Sequence, residues 1–178
     1  MKKIISIALV CVLLIGLCAC GSEPSLVGTT PVDDTPETVA PTTAGEKVFK
    51  VGDSVELNKV VVSFIGIETS TGSDFNTPEE GKVFLLCEFE IANNSSEELS
   101  VSSILCFEAY CDDYACEYSL GALMAAEGKA QLDGSVAAGK KMKGVVGYEV
   151  PADWKELEVQ YTMDILSDDK IVFVATNN

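Results

Sequence analysis

From Lys47 onward, apolar residues recur at every second position almost to the end of the chain. Val83, Leu85, Cys87, Phe89 and Ile91 alternate with Phe84, Leu86, Glu88 and Glu90, so one face of this stretch is continuously apolar while the other turns acidic along its length. Met142, Val146, Tyr148 and Val150 alternate with Lys141, Lys143, Val145 and Glu149, and Leu157, Val159, Tyr161 and Met163 with Glu156, Glu158, Gln160 and Thr162. A period of two predicts half-buried strands. Further candidates are Val48 to Val51, Val55 to Asn58, Val60 to Thr69, Leu99 to Tyr110, Cys116 to Leu120 and Ile171 to Thr176. Turn signals separate them at Gly52-Asp53, Ser70 to Gly81, Asn93 to Ser96, Asp112-Asp113, Asp133-Gly134, Ala138-Gly139 and Asp168-Asp169. Only Leu120 to Leu132 hints at a helix, and Gly121 and Gly128 hold it to about two turns. Roughly eight or nine short strands with no alternating helices predict an all-β, antiparallel β-sandwich over residues 47–178.

Upstream the pattern changes twice. Met1-Lys2-Lys3 and an apolar run from Ile4 to Gly16 lead into Leu17-Cys18-Ala19-Cys20-Gly21. A basic start, an apolar core and small residues before a cysteine make a secretory signal. Residues 1–19 are read as a lipoprotein signal peptide, removed so that Cys20 becomes the acylated N-terminus. Val10 before Cys11 and Leu17 before Cys18 are bulky, whereas Ala19 before Cys20 is small. The apolar run is shorter than the roughly 20 residues a membrane-spanning helix needs. Two or three acyl chains on Cys20 would hold the protein stably at the membrane, at about 0.8 kcal/mol per buried CH₂.

Residues 20–46 form a second region of Ser, Thr, Pro and acid, with Pro24, Pro31, Pro36 and Pro41 spaced along it. Such a composition buries too little surface to offset ordering entropy. It is read as a disordered tether reaching about 3.1 Å per residue where extended, which lifts the domain away from the membrane on the outer side of the cell.

Charge narrows the partners. The 178 residues carry a formal net charge of −16 with no histidine and no arginine, and removal of Lys2 and Lys3 makes it −18. That field repels nucleic-acid phosphates, so binding to nucleic acid is not expected. The expected partners are the membrane, through the N-terminal lipid, and an envelope protein or glycan.

Beyond the signal and Cys20, four cysteines remain: Cys87, Cys106, Cys111 and Cys116. In an exported chain four cysteines allow three disulfide connectivities or none. Cys111 with Cys116 is the simplest candidate disulfide, because a hairpin over Asp112 to Ala115 brings them opposite each other. Without CxxC pairs or histidine, no metal site is expected.

Lys50-Val51-Gly52-Asp53-Ser54-Val55 is followed by Gly81-Lys82-Val83-Phe84 opening a long strand, then Ala92-Asn93-Asn94-Ser95. Next come Leu132-Asp133-Gly134-Ser135-Val136-Ala137-Ala138-Gly139-Lys140, Tyr148-Glu149-Val150-Pro151 and Leu157-Glu158-Val159. In this order the segments resemble the bacterial domain-of-unknown-function family 4352 across nearly all of residues 47 to 175. The resemblance implies an immunoglobulin-like domain on a secreted protein or lipoprotein of a Gram-positive bacterium, with no catalytic residues to carry over. The chain departs from the pattern near Cys111, where Asp113-Tyr114 stands in place of the more usual Asp-Gly turn.

Catalytic constellations are sparse. The absence of histidine removes Ser-His-Asp, Cys-His and zinc-hydrolase arrangements, and no P-loop, GxSxG or GxGxxG occurs. A carboxylate pair acting on a glycosidic bond is the remaining enzymatic option, and no catalytic residue or cofactor is assigned. The expected function is a membrane-anchored, extracellular, non-catalytic binding or interaction domain. The alternative is a structural or assembly lipoprotein that partners an envelope complex. Candidate interaction residues are Phe84 and Leu86, an apolar strip rimmed by Glu88 and Glu90 unless another segment covers it, and Trp154, which either stacks on a sugar or caps the core.

Overall fold

The computed structural model describes residues 23–29, 47–163 and 169–177; the signal segment and Cys20 lie outside them. Among the described residues there are twelve strands and one short helix. In chain order these are β1 (Ser25–Thr29), β2 (Val48–Lys50), β3 (Asp53–Leu57), β4 (Val60–Ser70), β5 (Lys82–Asn93), β6 (Leu99–Val101), β7 (Phe107–Cys111), β8 (Tyr114–Cys116), α1 (Leu120–Met124), β9 (Gly134–Val136), β10 (Lys141–Pro151), β11 (Glu156–Thr162) and β12 (Lys170–Thr176).

Two five-stranded sheets pack face to face. The first runs β1-β3-β4-β5-β10 and is antiparallel throughout; the second runs β2-β12-β11-β7-β8, with β2 parallel to β12. β6 and β9 form a separate ribbon. Long strands β4, β5 and β10 make the frame, with Phe64 opposite Phe89 and Cys87 opposite Val146.

The alternation read along β5 is realised on both faces. Val83, Leu85, Cys87, Phe89 and Ile91 point into the sandwich, where they meet Phe64, Tyr161 and Phe173. Phe64 stacks on Phe89 at 4.4 Å between ring centres, and Phe173 meets both rings edge-on at 5.7 and 5.9 Å. Each such ring, removed from water, contributes about 1.5–3 kcal/mol, with a further gain from the offset and edge-to-face geometry.

Hairpin chemistry sets the register. Asn58 and Lys59 (φ 51° and 65°) join β3 to β4, and Asp112 and Asp113 (φ 48° and 69°) join β7 to β8. Two successive left-handed residues between paired strands make the type I′ turn whose twist matches the strands. Aspartate tolerates that conformation better than most non-glycine residues, so the chain closes this hairpin without the Asp-Gly pair.

Three departures from the sequence reading concern elements, one of them the Cys116 to Leu120 strand candidate, of which only Cys116 lies in β8 while Leu120 opens α1. Ser25–Thr29, within the span read as tether, forms β1 against the outer edge of β3. An open strand edge presents unpaired backbone groups to any extended segment of low steric demand, and Leu26-Val27 supplies the β propensity. The Leu99 to Tyr110 candidate breaks into β6 and β7, because Cys106 N–H bonds Ser102 O and Ser103 is held by Asp133 through both its N–H and its hydroxyl.

Candidate functional site

Phe84 and Leu86 do not form an exposed strip. Each is 1% exposed, packed with Val145 beneath Ala122 and Ala126. The cover is α1. Ser119 caps it, its hydroxyl accepting the Ala122 N–H at 3.1 Å. Asn76 Nδ2 donates to Gly121 O at 2.7 Å and so ties the 71–81 loop to the same helix. Gly147 makes the seat: a Cβ there would lie 2.7 Å from Ala122 Cβ. Trp154 is also no surface residue. At 3% exposure it packs into the main core, as a residue closing the end of the sandwich does.

The opening lies at the edge where β8 ends the second sheet and β10 ends the first. Beyond β8 the chain crosses over and bridges Tyr118 to Tyr148, with Ser119 N–H donating to Gly147 O at 2.8 Å. Beside that bridge, lined by residues of both edges, lies a cleft of about 820 Å³. Tyr114, Ala115, Cys116, Glu117 and Tyr118 form one wall; Glu149, Val150, Pro151 and Asp153 form the other, with Glu79, Lys82, Asp112 and Lys155 at its rim.

Five carboxylates, from Glu79, Asp112, Glu117, Glu149 and Asp153, face two ammonium groups, from Lys82 and Lys155. Lys82 Nζ lies 2.6 Å from Glu79 and 4.0 Å from Glu149. Its hydrogen bond holds the Glu79 carboxyl below the usual range. Asp112 accepts the backbone N–H groups of Lys155 and Glu156 at 3.0 and 2.9 Å, which fixes the β7–β8 turn against the start of β11. Next to the cleft the Glu156 carboxyl is pushed up, first by burial and then by the charges of Asp113, Glu158 and Asp112. The field at this end of the domain is negative.

Two tyrosines supply flat surface. Tyr118 is oriented by Gln131 Nε2, which donates to its hydroxyl at 2.7 Å. Tyr114, 80% exposed, stands beside the β7–β8 turn. Leu120, Met124 and Phe75 add exposed apolar surface on α1 and the loop bonded to it.

The candidate disulfide pair comes to this cleft in a different arrangement. The two-residue turn puts Tyr114 opposite Cys111 and Ala109 opposite Cys116, so the cysteines are diagonal neighbours rather than partners. Each thiol affects the other's ionisation, Cys116 Sγ lies 3.8 Å from Tyr114 O, and Cys87, Cys106, Cys111 and Cys116 are free thiols. Burial pushes Cys111 up to about 12, helped by Cys116 and Asp112. Cys116, half-buried, is also raised.

The sequence reading names Cys111 and Cys116 only as a candidate disulfide and assigns no site to Tyr114, Tyr118, Glu117, Glu149 or Asp153. Their signal was present only as an alternation of Cys116-Glu117-Tyr118 and of Tyr148-Glu149-Val150, each ordinary for a half-exposed edge. The crossing at Tyr118 that places one edge beside the other is a long-range contact with no local motif.

Two stacked sheets joined by tight hairpins, with a short helix over one outer face and a cleft at one edge, define an immunoglobulin-like β-sandwich. Residues 49–171 match the family model described as Domain of unknown function (DUF4352), and the chain belongs to that family. Among solved structures it is similar to ycdA of Bacillus subtilis strain 168, described as a "putative lipoprotein", with a TM-score of 0.58 and 15% identity over 69% of this chain. The match spans 38% of the ycdA chain. It is also similar to the yjhA protein of Bacillus subtilis, with a TM-score of 0.54 and 16% identity over 70% of this chain and 97% of that one. No curated protein sequence matches. No helix among the described residues is long and apolar enough to cross a membrane.

Proposed function

We propose that this protein is a lipid-anchored, extracellular, non-catalytic binding module whose ligand sits in the β8/β10 cleft. The observation that carries the reading is the cleft itself: about 820 Å³ of space, two tyrosines and an excess of carboxylates at one edge of the sandwich. Anchoring through Cys20 rests on the Leu17 to Gly21 pattern, and the lipoprotein description of ycdA is in keeping with it. The non-catalytic reading draws support from the chemistry lining the cleft. Histidine is absent from the chain, Glu79 and Glu149 share Lys82, Asp112 is engaged by two backbone N–H groups, and Cys111 is far from ionisation at neutral pH.

The test is photo-crosslinking in intact cells, with the reactive group in place of Tyr118. A defined adduct that disappears when Glu117 and Asp153 are neutralised supports the reading, and no adduct at that position overturns it. Cys20→Ser in the same strain is expected to release the protein from the membrane fraction. Phe75 and Met124, exposed on α1 and on the loop bonded to it, favour a second reading, an assembly role in which an envelope protein covers this apolar end. Crosslinks from Met124, which does not line the cleft, rather than from Tyr118 distinguish it.

A further inference from the structure

We infer that the cleft takes an extended, lysine- or arginine-bearing peptide, which adds as a further strand to the open edge of β8. The inference rests on the cleft being the ligand site and deepens that reading by naming the ligand's class.

Backbone register comes first. In a hairpin closed by two residues, the flanking pair exchanges both hydrogen bonds, so Cys111 and Tyr114 bond each other across the turn. The next pair, Tyr110 and Ala115, is then of the non-bonded kind. The Ala115 N–H and C=O therefore point away from β7. No strand of the second sheet lies on that side, because β8 is its last strand, and Ala115 lines the cleft. One donor and one acceptor are thus presented to the opening at the spacing an incoming strand needs. The opposite lip ends in Pro151, which has no N–H to offer a ladder, so the cleft has one pairing edge and one blunt edge.

Charge selects the peptide. A three-residue edge offers few main-chain bonds, so side chains must contribute much of the affinity and all of the selectivity. Glu117 and Asp153 line the walls around Ala115, within a set of five carboxylates against two lysines. Placing a carboxylate-bearing peptide there sets like charge against like charge; an ammonium or guanidinium is attracted instead. Tyr114 and Tyr118 supply ring faces on which a cationic stem can lie. The ring of Tyr114, standing mostly in solvent, has the freedom to close over it.

The experiment uses the mature chain from Cys20 in detergent, with an acetylated and amidated Lys-Val-Lys-Val-Lys peptide as probe, titrated by calorimetry at low and high salt. Saturable one-to-one binding, weakened about tenfold or more in high salt and absent for the Glu-Val-Glu-Val-Glu analogue, is expected. Ala115→Pro removes the outward N–H while taking no hydrogen bond from the β7–β8 pair, though its ring also fixes φ at that position, and is expected to abolish binding; Glu117→Gln with Asp153→Asn is expected to weaken it about tenfold or more. A probe methylated on its backbone nitrogens tests strand addition without altering the protein, and it should not bind. Failure of the lysine peptide to bind, or equal binding of the methylated probe, overturns the inference. If the lysine peptide fails while crosslinking at Tyr118 captures a glycan, the peptide inference falls and the binding-module reading stands. If neither gives a complex, both fall.

Discussion

The methyl group of Ala122 rests directly on Gly147, where α1 crosses β10. A Cβ at position 147 would lie 2.7 Å from it and 3.1 Å from the Ser119 carbonyl oxygen, closer than packed side chains approach. Gly147→Ala is therefore expected to lift α1 from the sheet and uncover Phe84 and Leu86, costing about 1–3 kcal/mol, the usual range for overpacking. A urea unfolding midpoint measures it. Gly66→Ala is the control, since a Cβ there meets nothing within 4 Å, and a loss equal to that of Gly147→Ala would sink the explanation.

Asn93 is fully buried and fully used. Its Nδ2 donates to Glu97 O and Val136 O at 2.7 and 2.8 Å, and its Oδ1 accepts the N–H and hydroxyl of Ser95 at 3.0 and 2.6 Å. One side chain thereby fastens the turn after β5 to β9. Asn93→Ala leaves a buried carbonyl without its donor and is expected to cost about 2–4 kcal/mol in all. Asn93→Asp should cost at least as much, because a carboxylate cannot donate to either carbonyl. Thermal unfolding of the two variants decides it.

Two carboxyl groups give opposite pH responses. The hydrogen bond from Lys143, 2.9 Å away, holds Glu88 below its usual value, with Lys129 adding to it against the opposing effect of burial. A depressed folded pKa contributes stability that is present above the unfolded value and lost as pH falls through the folded one. Glu88→Gln should therefore lower the unfolding midpoint at neutral pH and converge with the parent in acid. Glu156 is raised instead, so its ionisation costs stability at neutral pH, and that cost vanishes below the unfolded value. Glu156→Gln should raise the midpoint at neutral pH and lose its advantage in acid. Midpoints measured across the acid range for both variants check the two signs.

Thiol accessibility should follow burial. Cys87 has no exposed surface and its thiol is pushed far up by desolvation, whereas Cys116 is only half-buried. With native protein under reducing conditions, iodoacetamide is expected to modify Cys116 first and Cys111 more slowly. Cys106, buried to a similar degree as Cys111, should react at a similarly slow rate, and Cys87 only on unfolding. Peptide-resolved mass spectrometry reads the order; labelling of Cys87 at the rate of Cys116 would contradict the packing described.

Most of the sandwich was legible because its signal is local. The alternation in β5, β10 and β11 reports which side chains face inward, and the strands lie where that period places them. The outer face of β5 was harder. Phe84 and Leu86 look exposed until α1, itself only five residues long, folds over them, and nothing within β5 encodes that cover. β1 was hidden by its neighbourhood: Ser25–Thr29 sits among prolines and acids and becomes a strand only by borrowing the edge of β3. The cleft was the least legible part. It arises where Tyr118 meets Tyr148, 30 residues away by their numbering, so the acids and tyrosines around it are unremarkable until that crossing is made.

The order of strands in the two sheets has a mechanical consequence. β1 and β2, through which the chain enters the domain, occupy one lateral edge of the sandwich, while β8 and β10, which frame the cleft, occupy the other. On the proposed reading, a lipid at Cys20 and a ligand in the cleft would load the domain from opposite sides. The tension would run across the strands, along the hydrogen bonds that join them, the direction in which a sheet parts one bond at a time. The pairs at the two edges, β1 with β3 and β7 with β8, would be the first to feel such a load.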